Sequence, residues 1–500
     1  MYKMIKNICL IIMYNYHSFS AKVLSSLLEK KGYHVKVIFF KEIFDNNIKE
    51  PTEQEYGLLE EKIKEFNPDL VGVSLLSSSL SEICVNTIKR LKKFNFKIIV
   101  GGVAPTINPE EYIDKVDYLC IGEGENTLLE LLDKINNNKK IKDIKGLWIN
   151  EEGNIIKNNL EKELVNLNEL PIPQLNQPTY INNNSVEDRS KNIYSMSYYS
   201  TMTSRGCPFS CSYCTNSFFH KIYDNKGGYW LRKRNVDSVI EELELEKKRD
   251  SNLKIIDFHD DDLLYDLKWF REFSEKYKQK IGLPFIALTT FNHCDEERII
   301  LFKNAGGKTL KLGIQTGSER VRKEVYNRAH YTNEQIIKTS KLLKKYKIKQ
   351  IYDLIVDCPF ETEEDKTQTL NLLLSLKRPF RLSIFSLTFL PKTRLTERAL
   401  EEGFISLEDV ENKKHKVITN WRSKLSAISD DKNYYYLSLY YLVDSVLPRT
   451  VIKAVSGIGL FKEKPKLLSF SRYVRLTNYI PPPKKLFYYL KRINKGIKTS

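Results

Sequence analysis

Cysteine is scarce in this chain, eight in 500 residues, and three of the eight crowd into positions 207 to 214. That distribution excludes a disulfide framework of the secreted kind and fits a reducing, cytoplasmic setting. Long apolar runs are missing as well. The hydrophobic stretch Ile8-Cys-Leu-Ile-Ile-Met-Tyr14 is too short to span a bilayer and has no small-residue cleavage site after it, so it reads as a buried first strand. No Pro-, Gly- or Ser-rich tract occurs, which argues against extended disorder, and there is no internal repeat. Acidic residues are outnumbered, 63 against 80 Lys and Arg, for a formal charge of +17. Part of that excess is local, because residues 461 to 500 hold eleven Lys and Arg against Glu463 alone. Solvated basic surface explains such a tail, with peripheral contact to an anionic membrane as the second use; no nucleic-acid partner is expected.

What is present is enough apolar residue, 41%, to bury more than one core. From Asn7 to about Lys134 short β-rich runs alternate with helical patterns, the signature of a parallel sheet wrapped by helices. Strands are expected at Ile8 to Met13, Val35 to Phe40, Leu70 to Ser74, Lys97 to Val100 and Tyr118 to Ile121. Leu147 to Asn150 and Asn154 to Lys157 suggest a hairpin, and Leu160 to Ser195, with three prolines and many asparagines, reads as a linker. A second alternating series begins near Tyr198 with six strands, the last near 381 to 389. The expected fold class is therefore α/β: a doubly wound, Rossmann-like, five-stranded parallel sheet over 1–140, a hairpin and linker over 141–195, a partial (β/α)6 barrel over 196–395, and a helical, basic region over 396–500. Helices are expected at Tyr434 to Leu447 and Lys484 to Ile497. In such folds ligands gather at the carboxyl ends of strands, so the loops after the strands are where chemistry belongs.

Ser204-Arg-Gly-Cys207-Pro-Phe-Ser-Cys211-Ser-Tyr-Cys214 places three thiols in the loop after the first barrel strand. Soft thiolates select zinc or iron–sulfur clusters. A Cys3His zinc site with His220 is one use of them; a cubane cluster with one iron open to a ligand is the other. The spacing, three residues then two, with Tyr213 before the last cysteine and six β/α units around it, resembles the radical S-adenosylmethionine superfamily from residue 198 to about 395. The resemblance implies a 4Fe-4S cluster on Cys207, Cys211 and Cys214 whose open iron chelates S-adenosylmethionine, and one-electron cleavage to a 5′-deoxyadenosyl radical. It also implies S-adenosylmethionine contacts from Tyr213, from Asp260 and Asp261 in Phe258-His-Asp-Asp-Asp, from Gln315 and Ser318 in Gly313-Ile-Gln-Thr-Gly-Ser, and from Arg328. Gln315 stands where Glu is usual, and Ser318 serves equally as a helix cap. Asp357-Cys-Pro-Phe-Glu361-Thr is similar to a turn of the family. Its Cys358 is either a thiol at the barrel mouth that assists catalysis or a small buried hydrophobe.

Ahead of the barrel, Val71-Gly-Val-Ser74, Ser77-Ser-Ser79, Gly101-Gly102 with Thr106, and Gly122-Glu-Gly-Glu125 together resemble the cobalamin-binding domain fused to many members of that superfamily. The resemblance implies cobalamin contacts from Ser77, Ser78, Gly101, Gly102, Thr106 and Glu123. His17 stands where classical modules carry the lower cobalt ligand, although the Asp and Gly of that motif are missing here. The combined expectation is an enzyme that methylates an unactivated carbon of a small-molecule, lipid or peptide substrate, fed by an electron donor such as flavodoxin or ferredoxin. Radical cyclisation or rearrangement without methyl transfer, and a non-catalytic cobalamin or cluster sensor, are the alternatives.

Overall fold

The computed structural model describes residues 4–43, 48–188, 198–223, 231–411 and 431–475. The expected helix at Lys484 to Ile497, most of the basic tail and the end of the expected linker lie outside them. The chain divides into two compact units, 1–310 with 326–328 and 388–415, and 311–325 with 329–387 and 416–500.

In the first unit, strands β1 (Asn7–Met13), β2 (His34–Phe40), β3 (Leu70–Ser74), β4 (Lys97–Gly101) and β5 (Tyr118–Cys120) pair in parallel in the order β2-β1-β3-β4-β5. Helices α1 (Phe19–Lys30), α2 (Glu53–Phe66), α3 (Ser81–Leu91), α4 (Val103–Ile107), α5 (Glu110–Ile113) and α6 (Gly124–Asn136) connect them. Alternate residues of each strand leave on opposite faces, so both faces must be covered. Cys9, Ile11, Met13, Val71 and Val73 pack with Leu59, Ile63, Ile83 and Ile88 on one face. Ile8, Leu10, Ile12, Val37 and Phe39 pack with Leu28, Leu128, Leu131 and Leu132 on the other. Each such side chain, once fully buried, contributes about 1.5–3 kcal/mol. Helix starts follow local chemistry: Thr52 and Glu55 form a reciprocal capping box on α2, and Ser18 caps α1.

The sheet is larger than the five strands expected. Strands β6 (Leu147–Glu151) and β7 (Asn154–Lys157) form the expected hairpin and extend the sheet antiparallel beyond β5. At the far edge β8 (Thr179–Asn182) joins β2 in parallel and carries β9 (Ser185–Asp188) with it, making nine strands. Part of the segment taken for a linker is therefore sheet. Its prolines stop short of Thr179, and Asn183 and Asn184 adopt the left-handed conformation that a tight hairpin turn requires.

The second sheet contains six strands in chain order: β10 (Tyr198–Thr201), β13 (Ile255–Phe258), β14 (Phe285–Thr289), β15 (Gly307–Gln315), β16 (Lys349–Val356) and β17 (Phe380–Ser386). A short antiparallel ladder joins β11 (Ser204–Arg205) to β12 (Arg232–Lys233). Helices α7 (Thr215–Ile222), α8 (Val236–Arg249), α9 (Leu267–Lys280) and α10 (Glu296–Ala305) belong to the first unit, where Phe258, Phe273, Tyr277, Phe285 and Phe302 interlock edge to face. In the second unit α11 (Asn333–Lys345) and α12 (Glu363–Ser375) each begin on a capping box, Thr332 with Gln335 and Thr362 with Asp365. Helix Asp431–Val443, expected from its aromatic pattern, packs on α12 through Tyr440, whose hydroxyl donates to the Lys366 carbonyl at 3.0 Å. A buried Arg475–Asp444 ion pair closes this carboxyl-terminal layer. Among the described residues no helix is long and apolar enough to cross a membrane.

Candidate active site

The three cysteines follow β11 in a loop that ends at α7, with Cys214 as the residue ahead of its first turn. Asp260, fully buried after β13, accepts from the Thr203 backbone N–H, the Thr203 hydroxyl at 2.6 Å and the Ser204 hydroxyl. It thus pins the strand end that launches the loop. The amide N–H of Ser212 donates to the Tyr326 carbonyl at 3.0 Å, and the Asn327 side-chain amide donates to the Ser210 carbonyl at 2.9 Å. All three thiols are free of disulfides, Cys211 being the most buried. Burial, with the nearby Asp261 carboxylate, pushes Cys207 well above the usual thiol range; burial likewise pushes Cys214 up to about 11.

Arg328, only 9% exposed, places its guanidinium 3.2 Å from the Cys211 sulfur and 3.4 Å from the Tyr213 hydroxyl. Tyr213 in turn sets its ring edge to face with Tyr326 at 5.1 Å. The expected S-adenosylmethionine contacts Tyr213 and Arg328 are thus gathered on the cysteine loop itself. Asp261 joins them, since Asn216 bridges between its carboxylate, at 3.2 Å, and the Cys214 sulfur, at 3.7 Å. Desolvation first, then Asp260 and Asp262, pushes Asp261 up to about 6.

Among the described residues no three His, Cys, Asp or Glu side chains already converge on one metal position. The donor set still suits an iron–sulfur cluster: three unoxidised thiols on one short loop, with a buried guanidinium to offset thiolate charge. It does not suit the zinc alternative, because His220 turns its Nε2 to the Cys207 carbonyl, 2.8 Å away, instead of to a sulfur.

Several residues expected to touch cofactors are spent on the protein. Asp260 is an anchor, as described, and Asp262 is another, accepting from Thr289 and Thr290 and lying 2.7 Å from the His293 ring. Of the three consecutive aspartates, Asp261 alone reaches the surface, with its carboxylate turned in against Asn216. Ser318 donates to Asp365 at 2.5 Å and accepts from the Val321 N–H, so it is a cap and a brace. Cys358 is 2% exposed, as a small buried hydrophobe would be. Gln315, at the end of β15, keeps a left-handed backbone (φ 64°), a costly conformation for a residue with a side chain.

In the first sheet, Ser77 and Ser79 bond one another at 2.8 Å, and Ser77 caps the short turn that follows. Ser78 is buried, and its hydroxyl has no hydrogen-bond partner among the described residues, so a polar ligand there would satisfy it. Thr106 donates to the Gly102 carbonyl and accepts from the Gly122 N–H at 3.0 Å, stitching together the loops after β4 and β5. Gly101 ends β4. Gly102 has φ +114°, and a Cβ there would fall 2.5 Å from the Leu75 carbonyl oxygen, so close approach of two loops explains it.

Two further residues expected at cobalamin are held by protein partners. Nδ1 of His17 lies 2.9 Å from the Ser200 hydroxyl and Nε2 lies 3.1 Å from the Tyr198 hydroxyl, both on β10. Its ring also stacks on Tyr198 and tilts toward His259. Glu123 is engaged through both carboxylate oxygens. One oxygen accepts from Arg205 at 3.0 Å and Arg232 at 2.6 Å, the other from Arg232 and from the Val165 N–H, each at 3.0 Å. Against the opposing effect of burial, Arg232 and Arg205 hold its carboxyl below the usual carboxylate range. Arg205 also bonds Glu125. Sequence reasoning passed over Arg205, Arg232 and Glu125, although an arginine two residues before the first cysteine and an acid pair on glycines were both visible.

Two α/β sheets, one with glycine- and hydroxyl-rich loops and one with a three-thiol loop at a strand end, define the class: a protein with a loop cluster suited to a cofactor at each. Residues 7–132 match the B12 binding domain and residues 201–373 match the Radical SAM superfamily. The chain belongs to the radical SAM proteins that carry a B12-binding domain ahead of the barrel, and its cofactor set is an iron–sulfur cluster, S-adenosylmethionine and cobalamin. An uncharacterized methyltransferase of Pyrococcus horikoshii is 26% identical over 79% of this chain and 82% of its own length. The cytidylyl-2-hydroxyethylphosphonate methyltransferase of Streptomyces wedmorensis is 25% identical over 60% of this chain and 62% of its own. Among solved structures, the radical S-adenosylmethionine methyltransferase TsrM from Kitasatospora setae aligns with 79% of this chain and 76% of that one, with a TM-score of 0.64 at 18% identity. The cobalamin-dependent radical enzyme OxsB aligns with 99% of this chain and 75% of that one, with a TM-score of 0.65 at 16% identity. These two likenesses are of fold.

Proposed function

We propose that this protein methylates an unactivated carbon of a small organic substrate, with Cys207, Cys211 and Cys214 as cluster ligands. The observation that carries the reading is the cysteine loop itself, three reduced thiols with Arg328, Tyr213 and Asp261 drawn up around them, in a chain that also holds a B12-binding domain. When bound, the cluster and S-adenosylmethionine supply a hydrogen-abstracting radical and cobalamin supplies the methyl carrier. The chain's own residues bind and orient. Asp260 fixes the entrance to the loop, and Arg328 balances the charge gathered by the sulfurs. Asp261 is the acceptor for the methionine amine, and Gln315 offers both a donor and an acceptor to ribose hydroxyls. Ser78 is the hydroxyl with unspent hydrogen-bonding capacity for cobalamin, next to Ser77, Gly101 and Gly102.

An electron donor of the flavodoxin or ferredoxin class supplies the reducing electron, and the basic tail contributes any peripheral contact with a membrane. The methyltransferase names of the Pyrococcus and Streptomyces relatives support methyl transfer. Anaerobic reconstitution with iron, sulfide, hydroxocobalamin, S-adenosylmethionine and reductant tests the reading. The expected result is brown protein that retains cobalamin and forms 5′-deoxyadenosine together with S-adenosylhomocysteine. Colourless, zinc-loaded protein, or protein that never cleaves S-adenosylmethionine, would overturn it.

A further inference from the structure

Arg205 and Arg232 are direct partners across the β11–β12 ladder. Both reach to the junction of β5 and α6, where Glu123 in the loop and Glu125 in the first turn of α6 receive them. All four side chains are at most 16% exposed, and their charges cancel. The loop they grip is the one that Thr106 ties to the loop after β4, so it belongs to the face of the first sheet where ligands of such sheets gather. The ladder they grip it with ends two residues before Cys207. Gly122 has φ +84°, and a Cβ there would lie 2.5 Å from the Tyr223 hydroxyl and 2.7 Å from a Leu160 methyl carbon, so the loop has closed onto its neighbours.

We infer that Arg205 and Arg232 are positioning residues that couple the two cofactor loops, so that the cluster and cobalamin strengthen each other's binding. The inference rests on the reading of the chain as a cluster and cobalamin protein, and goes beyond it by assigning the link. A bidentate guanidinium transmits orientation as well as charge, because its planar fork meets carboxylate oxygens in a fixed geometry. A shift of the β5–α6 loop on taking up cobalamin therefore reaches β11, and ordering of the cysteine loop around its cluster reaches Glu123. Linkage makes the effect reciprocal.

The test compares two affinities in one protein. Hydroxocobalamin is titrated by absorbance into anaerobically reconstituted protein and into the same protein stripped of iron by a chelator. The wild type is expected to bind cobalamin about tenfold more tightly with its cluster, a coupling of ordinary size. In Arg205→Gln and in Glu123→Gln the ratio should fall toward one, and Arg205→Lys should recover part of it. In the reverse direction, cobalamin should slow the loss of iron to chelator in the wild type and not in Arg205→Gln. A residue that merely glues the fold together would weaken both affinities and leave their ratio unchanged. Should Arg205→Gln fail to fold, Glu125→Gln removes one acid and leaves Glu123 to both arginines. Equal affinities with and without the cluster in the wild type, or an unchanged ratio in the folded variants, overturn the coupling alone. Protein that takes up no cobalamin in either form overturns the functional reading and the coupling with it.

Discussion

The loops of the first sheet and the cysteine loop hold comparable polar motifs and use them in opposite ways. Around the first sheet Ser77 spends its hydrogen bonds on its own turn and Thr106 and Glu123 direct theirs at neighbouring loops, and Ser78 is the exception. In the cysteine loop the supporting bonds come from backbone amides and carbonyls, from the Asn327 side-chain amide and from the buried Asp260, while the sulfurs only accept: Cys207 from the Phe209 amide, Cys211 from Arg328 and Cys214 from Asn216. The difference separates scaffold from ligand. A polar side chain whose hydrogen-bonding capacity the protein already fills has little to offer a cofactor, whereas one held in place by its neighbours and left unfilled does.

The sharpest way to break that contrast is Cys211→Ala. Loss of the central, most buried thiol should abolish iron incorporation while leaving the folded chain and its cobalamin site in place, as checked by iron and sulfide content and by circular dichroism. A variant that still assembled a brown, active cluster would put the ligand set elsewhere. Next in size is Asp260→Ala, which removes a scaffold carboxylate. It strands the Thr203 N–H and two hydroxyls in a buried site, each unsatisfied donor costing about 1–3 kcal/mol, so thermal unfolding should show a loss of at least about 3 kcal/mol. Iron loss would follow as a consequence of the displaced loop. Asp261→Ala should do the reverse, sparing stability and weakening S-adenosylmethionine binding.

Much of this was legible in the residues. Continuous apolar runs such as Ile8 to Met13 mark doubly covered parallel strands, and the cysteine spacing marks its own loop. The hydrogen-bond bookkeeping was not legible. Asp260, Asp261 and Asp262 are identical in type and adjacent in sequence, and only the pleat and turn after β13 decide which two point inward to Thr203 and Thr289. The edge hairpin β8–β9 was hidden for a related reason: a short strand held by β2 needs no long hydrophobic run, and the prolines before it read as linker. The protein partners of His17 and Glu123 were hidden as well, because Ser200 and Arg205 lie more than 80 residues away along the chain.

The same contrast holds between two acids of the second unit. Asp365 accepts from Ser318, Arg320 and Thr362, and although burial opposes it, these partners hold it far below the usual carboxylate range. Glu361 accepts from the Thr316 hydroxyl at 2.8 Å, and burial pushes it up to about 7. A carboxyl whose pKa rises on folding favours the protonated native state. Its contribution is therefore fully present below the unfolded value of 4.5 and is lost as pH rises through about 7. Glu361→Gln should raise the melting temperature relative to wild type at pH 8 and have little effect at pH 4, the difference amounting to at most on the order of 3 kcal/mol. Equal shifts at both pH values would show that folding leaves the carboxyl's pKa unraised.

The smallest expected effect is the most discriminating for the first sheet. With both ring nitrogens of His17 occupied by Ser200 and Tyr198, a cobalt bond would require the ring to abandon two hydrogen bonds and its stack on Tyr198. His17→Ala should accordingly leave the absorbance and paramagnetic resonance spectra of bound cobalamin unchanged and alter its Kd by less than about threefold, under ~1 kcal/mol. The lost bonds belong to the contact of α1 and its leading loop with β10, so the measurable change should be in thermal stability instead. A spectrum that moved from a nitrogen-ligated to an unligated form on this one substitution would return His17 to the cofactor and with it narrow the distinction between scaffold and ligand drawn from the rest of the site.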